Sequence, residues 1–238
     1  MGRAPVKRER KNEMSKEWKG LLFDLDGVLV DTAKYHYLAW KELADRLGIV
    51  FTKEDNERLK GVSRMASFEI ILEIGGRTMN QAEKEACCAE KNARYVEYIT
   101  HLREDELFPG VRQFLEDAKR KGYRTALGSA SKNSMTILNR LGITDLFDAV
   151  IDGNKVSRAK PDPEVFTEGA KALGLSAEEC IVFEDAVAGI EAAHRGGMAA
   201  VGIGTREALP QADIVTPGLD GLTVDDITAR LRLAGSGV

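Results

Sequence analysis

The sequence predicts an α/β fold: a doubly wound parallel-sheet (Rossmann-like) core with an inserted helical cap domain. The first observation behind this prediction is the alternation of short apolar runs with helical patterns from Phe108 onward. Such alternation implies right-handed crossovers between parallel strands. The second is an apolar run at 21–23 that is separated from the later strands, because the stretch from Asp31 to about Leu107 shows helical periodicity and no convincing strand. The helical segment is therefore inserted after the first strand.

The predicted division of the chain follows from this insertion. The first strand belongs with the later strands, so residues 18–30 and 106–238 form one discontinuous core domain and residues 31–105 form the cap. The stretch at 1–17 mixes basic and acidic side chains and contains no apolar core. It is therefore predicted to be a disordered tail rather than a secretion signal.

The elements of the cap are predicted from helix start and stop signals. Asn80 and Glu83 are spaced as a capping box, which predicts the start of a long helix. Either Asp31 or Thr32 can cap the first helix. The predicted helices run from Asp31 or Thr32 to Gly48, over 53–60, over 65–74 after a loop at 61–64, and from Asn80 towards Thr100.

The elements of the core are predicted from apolar runs and glycine stop signals. Pro109-Gly110 introduces a helix that ends near Gly122, and glycines close several of the later helices. The predicted strands lie at 125–128, 149–152, 180–183, 199–203 and 213–215.

The composition is typical of a soluble globular protein and excludes several classes of function. Of 238 residues, 43% are hydrophobic and 30% are charged, and no apolar run is long enough to cross a bilayer. A formal net charge of -4 gives no electrostatic footprint for nucleic acid. Three cysteines without CxxC spacing predict a reducing, cytoplasmic setting and exclude a disulfide framework or zinc site. We expect a cytoplasmic monomer without nucleic-acid or membrane partners.

Two carboxylates mark the end of the first predicted strand. Asp24 and Asp26 follow the apolar run, and Gly27 lets the backbone turn. The carboxyl ends of strands in open α/β sheets are where ligands bind. Two acids fixed there can divide the chemistry between a nucleophile or metal ligand and a proton donor. An ordinary Asp-Gly turn is the alternative, and the motif alone favours that alternative.

Three further polar sites lie at strand ends or beside helix starts. Ser129 and Ser131 offer hydroxyls and backbone N–H groups that suit a phosphate. Lys160, in a proline-stiffened segment, can hold a phosphate as a point charge. Glu184 and Asp185 suit a hard cation such as magnesium. Taken alone, the serines and the Glu184-Asp185 pair could simply cap helices, and Lys160 could be a solvated loop residue. One parallel sheet, however, would gather all of these sites at one edge.

The ordered motifs resemble those of a known superfamily. FDLDGVL, GSAS, AKPDP and FEDA, with a helical insert after the first, resemble the haloacid dehalogenase superfamily of phosphotransferases. Within it, DTAKYHYLAW, LKGVSR, EKN and SASKN resemble the β-phosphoglucomutase family. The resemblance covers residues 19–223.

The resemblance implies roles for the residues at the strand ends. Asp24 would be the nucleophile that becomes an aspartyl phosphate, and Asp26 would be the acid–base residue for the sugar oxygen. Ser129 and Lys160 would hold the transferring phosphate. Mg2+ would be held by the side chains of Asp24, Glu184 and Asp185 and by the backbone carbonyl of Asp26.

The resemblance also implies a second phosphate site and a positioning pair. His36, with Lys91 as its neighbour, would help to bring the acid–base aspartate into line. A packed or solvated histidine is the alternative for His36, and a solvated loop residue is the alternative for Arg64. The sugar's other phosphate would be held by Arg64 of the cap and by Ser131, Lys132 and Asn133 of the core.

The activity implied by the resemblance is that of a magnesium-dependent isomerase acting on sugar phosphates. It would interconvert β-glucose 1-phosphate and glucose 6-phosphate through β-glucose 1,6-bisphosphate, which turns over within the site. One alternative is a sugar-phosphate phosphatase of the same superfamily, in which water accepts the phosphoryl group. Another is a non-catalytic binding module that kept the fold, and the intact acids, with Lys160, argue against it.

Overall fold

The computed structural model describes residues 17–59 and 63–235, and its centre is a parallel sheet. The strand order in space is β3-β2-β1-β4-β5-β6, with every neighbouring pair parallel. The predicted doubly wound fold is confirmed, and the last strand begins one residue later than expected. The strands are β1 (Gly20–Phe23), β2 (Arg124–Gly128), β3 (Ala149–Ile151), β4 (Cys180–Glu184), β5 (Ala199–Ile203) and β6 (Ile214–Thr216).

The helices that follow the cap cover both faces of this sheet. Phe23 stacks on Phe183 of β4 at 4.6 Å between ring centroids, on the same face as Leu21, while Leu22 packs into a separate apolar cluster. Successive side chains point to opposite faces of the sheet. A central strand that is covered on both faces is therefore apolar at every position. These helices are α5 (Val111–Arg120), α6 (Ser134–Leu141), α7 (Glu164–Leu173), α8 (Val187–Arg195) and α9 (Val224–Gly235).

The chain between β1 and α5 is helical, as predicted, and its helices build a third apolar cluster. Trp40 and Phe68 stack there with ring centroids 6.0 Å apart, and Cys88 is buried among them. Backbone bonding between Val30 and Leu107 pairs the outgoing and returning segments. The residue bounds of the cap and core stay a prediction. The helices are α1 (Ala33–Arg46), α2 (Lys53–Glu57), α3 (Arg64–Ile74) and α4 (Gln81–Thr100).

The helix starts confirm one capping prediction and show which of two predicted alternatives, Asp31 or Thr32, accepts a backbone N–H at the start of α1. Asn80 and Glu83 form the predicted capping box of α4. Thr32 occupies the N-cap position of α1, but its side chain caps nothing, because its hydroxyl donates to Asp26 instead. Asp31 accepts from the backbone N–H of Lys34.

Two predicted features fall largely outside the described residues. Of the tail predicted at 1–17, only Glu17 is described. Residues 60–62 are also outside the described residues, and they comprise the last residue of the helix predicted over 53–60 and the first two of the loop predicted at 61–64. Among the residues that the structure describes, no helix combines the length and hydrophobicity that a bilayer crossing requires.

Candidate active site

The candidate site lies at the carboxyl edge of the sheet, where the strand order reverses between β1 and β4. Asp24 follows β1, Ser129 follows β2, and Glu184 and Asp185 stand at the end of β4. Crossovers run in opposite directions from this point, which leaves a crevice for a ligand. The structure therefore brings the predicted strand-end residues to one place.

Lys160 reaches this edge from the loop before α7 and contacts two of the acids. Its Nζ donates to Asp24 Oδ1 at 2.5 Å and to Glu184 Oε2 at 3.0 Å, and it lies 4.6 Å from the ring centroid of Phe166. Burial alone would lower the pKa of Lys160, but the charges of Asp24 and Glu184 overcome it and raise the pKa. A permanent positive charge therefore lies beside the predicted nucleophile.

Three carboxylates form a group that could hold a divalent cation. One oxygen from each of Asp24, Glu184 and Asp185 lies within 4.8 Å of the others. Burial raises the pKa of Glu184, and the charges of Asp24 and Asp185 raise it further although Lys160 lowers it. Carboxylate oxygens are the ligands that Mg2+ prefers. A bound cation would offset the mutual repulsion of these acids.

A glycine makes room for this acidic group. Gly27 has a left-handed φ of 81°, and a Cβ at this position would overlap the carboxylate of Asp185. The turn after Asp26 therefore requires glycine for its backbone angle and for the close approach of Asp185.

Asp26, two residues after Asp24, is held by the residue that precedes helix α1. It accepts a hydrogen bond from the hydroxyl of Thr32. Burial raises the pKa of Asp26 to about 7, with a smaller contribution from the charge of Asp24, even though the Thr32 hydrogen bond lowers it. A carboxyl group with a pKa in this range can both donate and accept a proton near neutral pH.

The cap contributes a polar pair next to Thr32, made of the half-buried His36 and the buried Lys91. Lys91 Nζ lies 2.7 Å from His36 Nδ1, as the predicted neighbours require, and the His36 ring stacks on Tyr95 at 3.8 Å. Burial, with smaller contributions from nearby positive charges, lowers the pKa of Lys91 to about 7 and that of His36 to about 3; the charges are Arg64 for Lys91, and Lys91 followed by Arg64 for His36. Burial therefore disfavours the charged form of the Lys91 amine. An anionic ligand bound nearby would favour its protonated form.

The residues predicted to hold a second phosphate lie on two elements. Arg64 is exposed at the start of α3 and donates to Asn92 Oδ1 at 2.7 Å. Ser129 Oγ accepts from the backbone N–H of Ser131 at 3.1 Å, and the next serine accepts from the N–H of Asn133 at 3.3 Å. Lys132 is exposed between them. The joint action of these residues stays a prediction.

Sequence reasoning missed two residues of this region, Tyr95 and the side-chain role of Thr32. The Tyr95 hydroxyl lies 3.2 Å from Thr32 Oγ1, and both residues are fully buried. The signal that could have found them is spacing. Thr32 and His36 are four residues apart, as are Lys91 and Tyr95, so each pair occupies one side of a helix.

Comparison with known proteins places the chain in a known family of enzymes. Residues 18–197 match the family model of the haloacid dehalogenase-like hydrolases. This match spans most of the chain, and the protein belongs to that family.

Relatives with known names include mutases and phosphatases. The chain is 41% identical to the β-phosphoglucomutase of Bacillus subtilis, over 87% of this chain and 92% of the relative. It is 31% identical to a phosphorylated carbohydrates phosphatase of Thermotoga maritima, over 76% of this chain and 82% of the relative.

A solved structure supports the first of these similarities. The crystal structure of a β-phosphoglucomutase from Clostridium difficile superposes with a TM-score of 0.83 at 39% identity, covering 92% of this chain and 99% of that one. The predicted resemblance is confirmed, and with it the prediction of an enzyme related to the isomerases of this family.

Proposed function

We propose that the protein is a β-phosphoglucomutase that interconverts β-D-glucose 1-phosphate and D-glucose 6-phosphate. The observation that carries the proposal is the 41% identity to the Bacillus subtilis enzyme over 87% of the chain, a span that requires both cap and core to match. The proposal accounts for both the acids at the sheet edge and the polar residues on the cap.

Asp24 is the nucleophile in this proposal. A carboxylate oxygen of Asp24 attacks the phosphorus of a sugar bisphosphate, the bond from phosphorus to the sugar oxygen breaks, and an aspartyl phosphate forms. Lys160, at 2.5 Å from Asp24, and the hydroxyl of Ser129 hold the phosphoryl oxygens. Positioning and charge neutralisation are the main contributions a protein makes to such a transfer.

Asp26 is the general acid and general base in this proposal. It protonates the sugar oxygen that leaves phosphorus and, in the reverse transfer, takes the proton from the sugar hydroxyl that attacks. Its pKa of about 7 suits both directions. Thr32, just before α1, fixes the carboxyl group, and Lys91 of α4 contacts His36 in the first turn of α1.

Mg2+ is the proposed cofactor, held by the side chains of Asp24, Glu184 and Asp185 and by the backbone carbonyl of Asp26. The three side chains fit this role because their oxygens converge within 4.8 Å and all are hard donors. When bound, the ion neutralises charge on the transferring phosphoryl group.

A mutase also needs to bind the phosphate that is not reacting. The intermediate, β-glucose 1,6-bisphosphate, leaves the aspartate, turns over and presents its other end. Arg64 of the cap, with Ser131, Lys132 and Asn133 of the core, would hold the remote phosphate. A guanidinium suits this task because it can donate two parallel hydrogen bonds.

A sugar-phosphate phosphatase is the second candidate, supported by the similarity to the Thermotoga maritima phosphatase. In that reaction water takes the phosphoryl group from Asp24, and the remote phosphate site is less important.

The test measures mutase rate and phosphate release side by side, with β-glucose 1-phosphate and catalytic bisphosphate, in wild type and Arg64→Ala. We expect mutase turnover to exceed phosphate release, and Arg64→Ala to lower it by about 100-fold, the loss expected when a substrate is no longer positioned. Aspartyl phosphate should still form from acetyl phosphate. Predominant phosphate release by the wild type, or full mutase activity in the variant, would favour the phosphatase.

A further inference from the structure

We infer that Glu164 is a positioning residue that holds Lys160 in place for phosphoryl transfer, an inference that rests on the proposed function of Lys160. Glu164 is the first residue of α7 and lies four residues after the lysine. Its side chain is 19% exposed and faces back along the loop that carries Lys160.

The Glu164 carboxylate closes this loop on itself. It accepts from the backbone N–H of Ser157 at 3.0 Å, from the Ser157 hydroxyl at 3.1 Å and from the backbone N–H of Arg158 at 2.7 Å. One side chain therefore fixes the peptide groups two and three residues before Lys160 to the helix that follows it. A charged acceptor of several N–H groups makes strong and directional bonds.

A second acid completes the bracing on the other side of the lysine. Asp162 Oδ1 accepts from the backbone N–H of Glu164 at 3.0 Å, and its own N–H donates to the carbonyl of Ala159 at 3.0 Å. Arg158 spans both acids, at 3.1 Å from Asp162 and 3.6 Å from Glu164. The loop is thus fixed before and after Lys160 by contacts that do not involve the reacting groups.

This bracing matters because Lys160 has little freedom at its tip. Its Nζ lies between Asp24 and Glu184 and above Phe166, and its side chain is 13% exposed. A displacement of about 1 Å of a group that positions a reaction can reduce the rate by roughly 100-fold. Loss of the Glu164 contacts would free the backbone of the loop and let the amine move from the path of the phosphoryl group.

The experiment compares Glu164→Ala and Glu164→Gln with Glu168→Ala. Glu168 lies one turn along α7, and its carboxylate contacts only Lys171, at 3.4 Å, among the ion pairs of the described chain. The first measurement is the rate of aspartyl phosphate formation from acetyl phosphate, in which Asp24 attacks phosphorus and acetate leaves. The second is the rate at which acetic anhydride acetylates Lys160, relative to Lys171, by mass spectrometry.

We expect Glu164→Ala to slow phosphorylation by about 10- to 100-fold and to speed acetylation of Lys160 several-fold. Glu164→Gln, which keeps one acceptor oxygen, should show smaller changes in both rates, and Glu168→Ala should match wild type. In a Lys160→Ala background, Glu164→Ala should cause no further loss, because its effect is exerted through the lysine. Thermal unfolding identifies variants that fail to fold, in which case Glu164→Gln decides.

The inference is overturned if folded Glu164→Ala matches wild type in phosphorylation and in Lys160 acetylation, or if the two substitutions act additively. Its failure is distinguishable from failure of the proposed function. A wild type that forms aspartyl phosphate without interconverting sugar phosphates refutes the mutase and leaves Glu164 assigned. If the wild type is not phosphorylated at all, acetylation of Lys160 still decides the role of Glu164.

Discussion

Replacing Lys91 with methionine should make the protein more stable near neutral pH while impairing its proposed activity. Lys91 is 3% exposed, and its Nζ lies 4.7 Å from the ring centroid of Trp40 and 5.1 Å from that of Tyr95. Burial, reinforced by Arg64, lowers its pKa from 10.5 to about 7. Methionine keeps the length and apolar character of the side chain and removes the ionisable group.

The sign and size of the effect follow from proton linkage. Between the two pKa values the unfolded chain holds a proton that the folded protein lacks, so the free energy of unfolding rises by about 1.4 kcal/mol per pH unit. This stability is complete above the unfolded pKa and is lost as pH falls to the folded value. The full shift costs on the order of 5 kcal/mol at neutral pH. The contact with His36 offsets part of this cost.

The measurement is urea unfolding of wild type and Lys91→Met near neutral and alkaline pH. We expect the variant to be more stable by roughly 2 to 4 kcal/mol at about pH 7, and this gain to shrink by roughly 3 kcal/mol at about pH 9.5. Lys171→Met, at a side chain that is 77% exposed, is the control and should show no such dependence. A variant no more stable than wild type, or a difference that is constant with pH, would refute the reasoning.

Two further predictions concern the acids at the sheet edge. Asp24→Asn should fold normally and form no covalent phosphoprotein with acetyl phosphate, because an amide is not a nucleophile for phosphorus. The measurement is intact-protein mass spectrometry, and normal phosphorylation of the variant would reject Asp24 as the nucleophile. Gly27→Ala should raise the Mg2+ concentration needed for half-maximal activity by at least about tenfold, since the added Cβ displaces Asp185 from the metal ligands. Gly122→Ala is the matched control, with a φ of 78° against 81° for Gly27 and nothing within 4 Å of the added carbon. An equal effect of both substitutions on Mg2+ dependence would contradict the second prediction.

The sequence was sufficient to predict the parts of the molecule that depend on local pattern. The apolar run at 21–23 belongs to a strand that is buried on both faces. Such a strand has no polar face, so it is seen in the sequence as a continuous apolar run. Once the strands are parallel, their carboxyl ends share one edge, so the meeting of Asp24 with Glu184 follows from topology. Three of the four motifs that carried the superfamily resemblance, FDLDGVL, GSAS and FEDA, lie at these strand ends, and AKPDP lies in the loop before α7.

Contacts between distant elements could not be predicted in this way. Thr32 stands where a helix cap is expected, and only the folded position of Asp26 shows that its hydroxyl binds a carboxyl group instead. Tyr95 looks like an ordinary core aromatic, because its long helix gives no sign of what its hydroxyl meets. Arg64 was expected to face a phosphate, and its contact with Asn92 depends on how two cap helices pack.

The third apolar cluster, between β1 and α5, has a consequence for how this protein can change. Its stacked Trp40 and Phe68 share no cluster with the side chains that cover the sheet. Substitutions that are far apart and lack common partners have additive effects on stability. Substitutions within this cluster can therefore accumulate while the packing that holds the acids at the sheet edge stays the same, so the two parts of the protein can diverge at different rates.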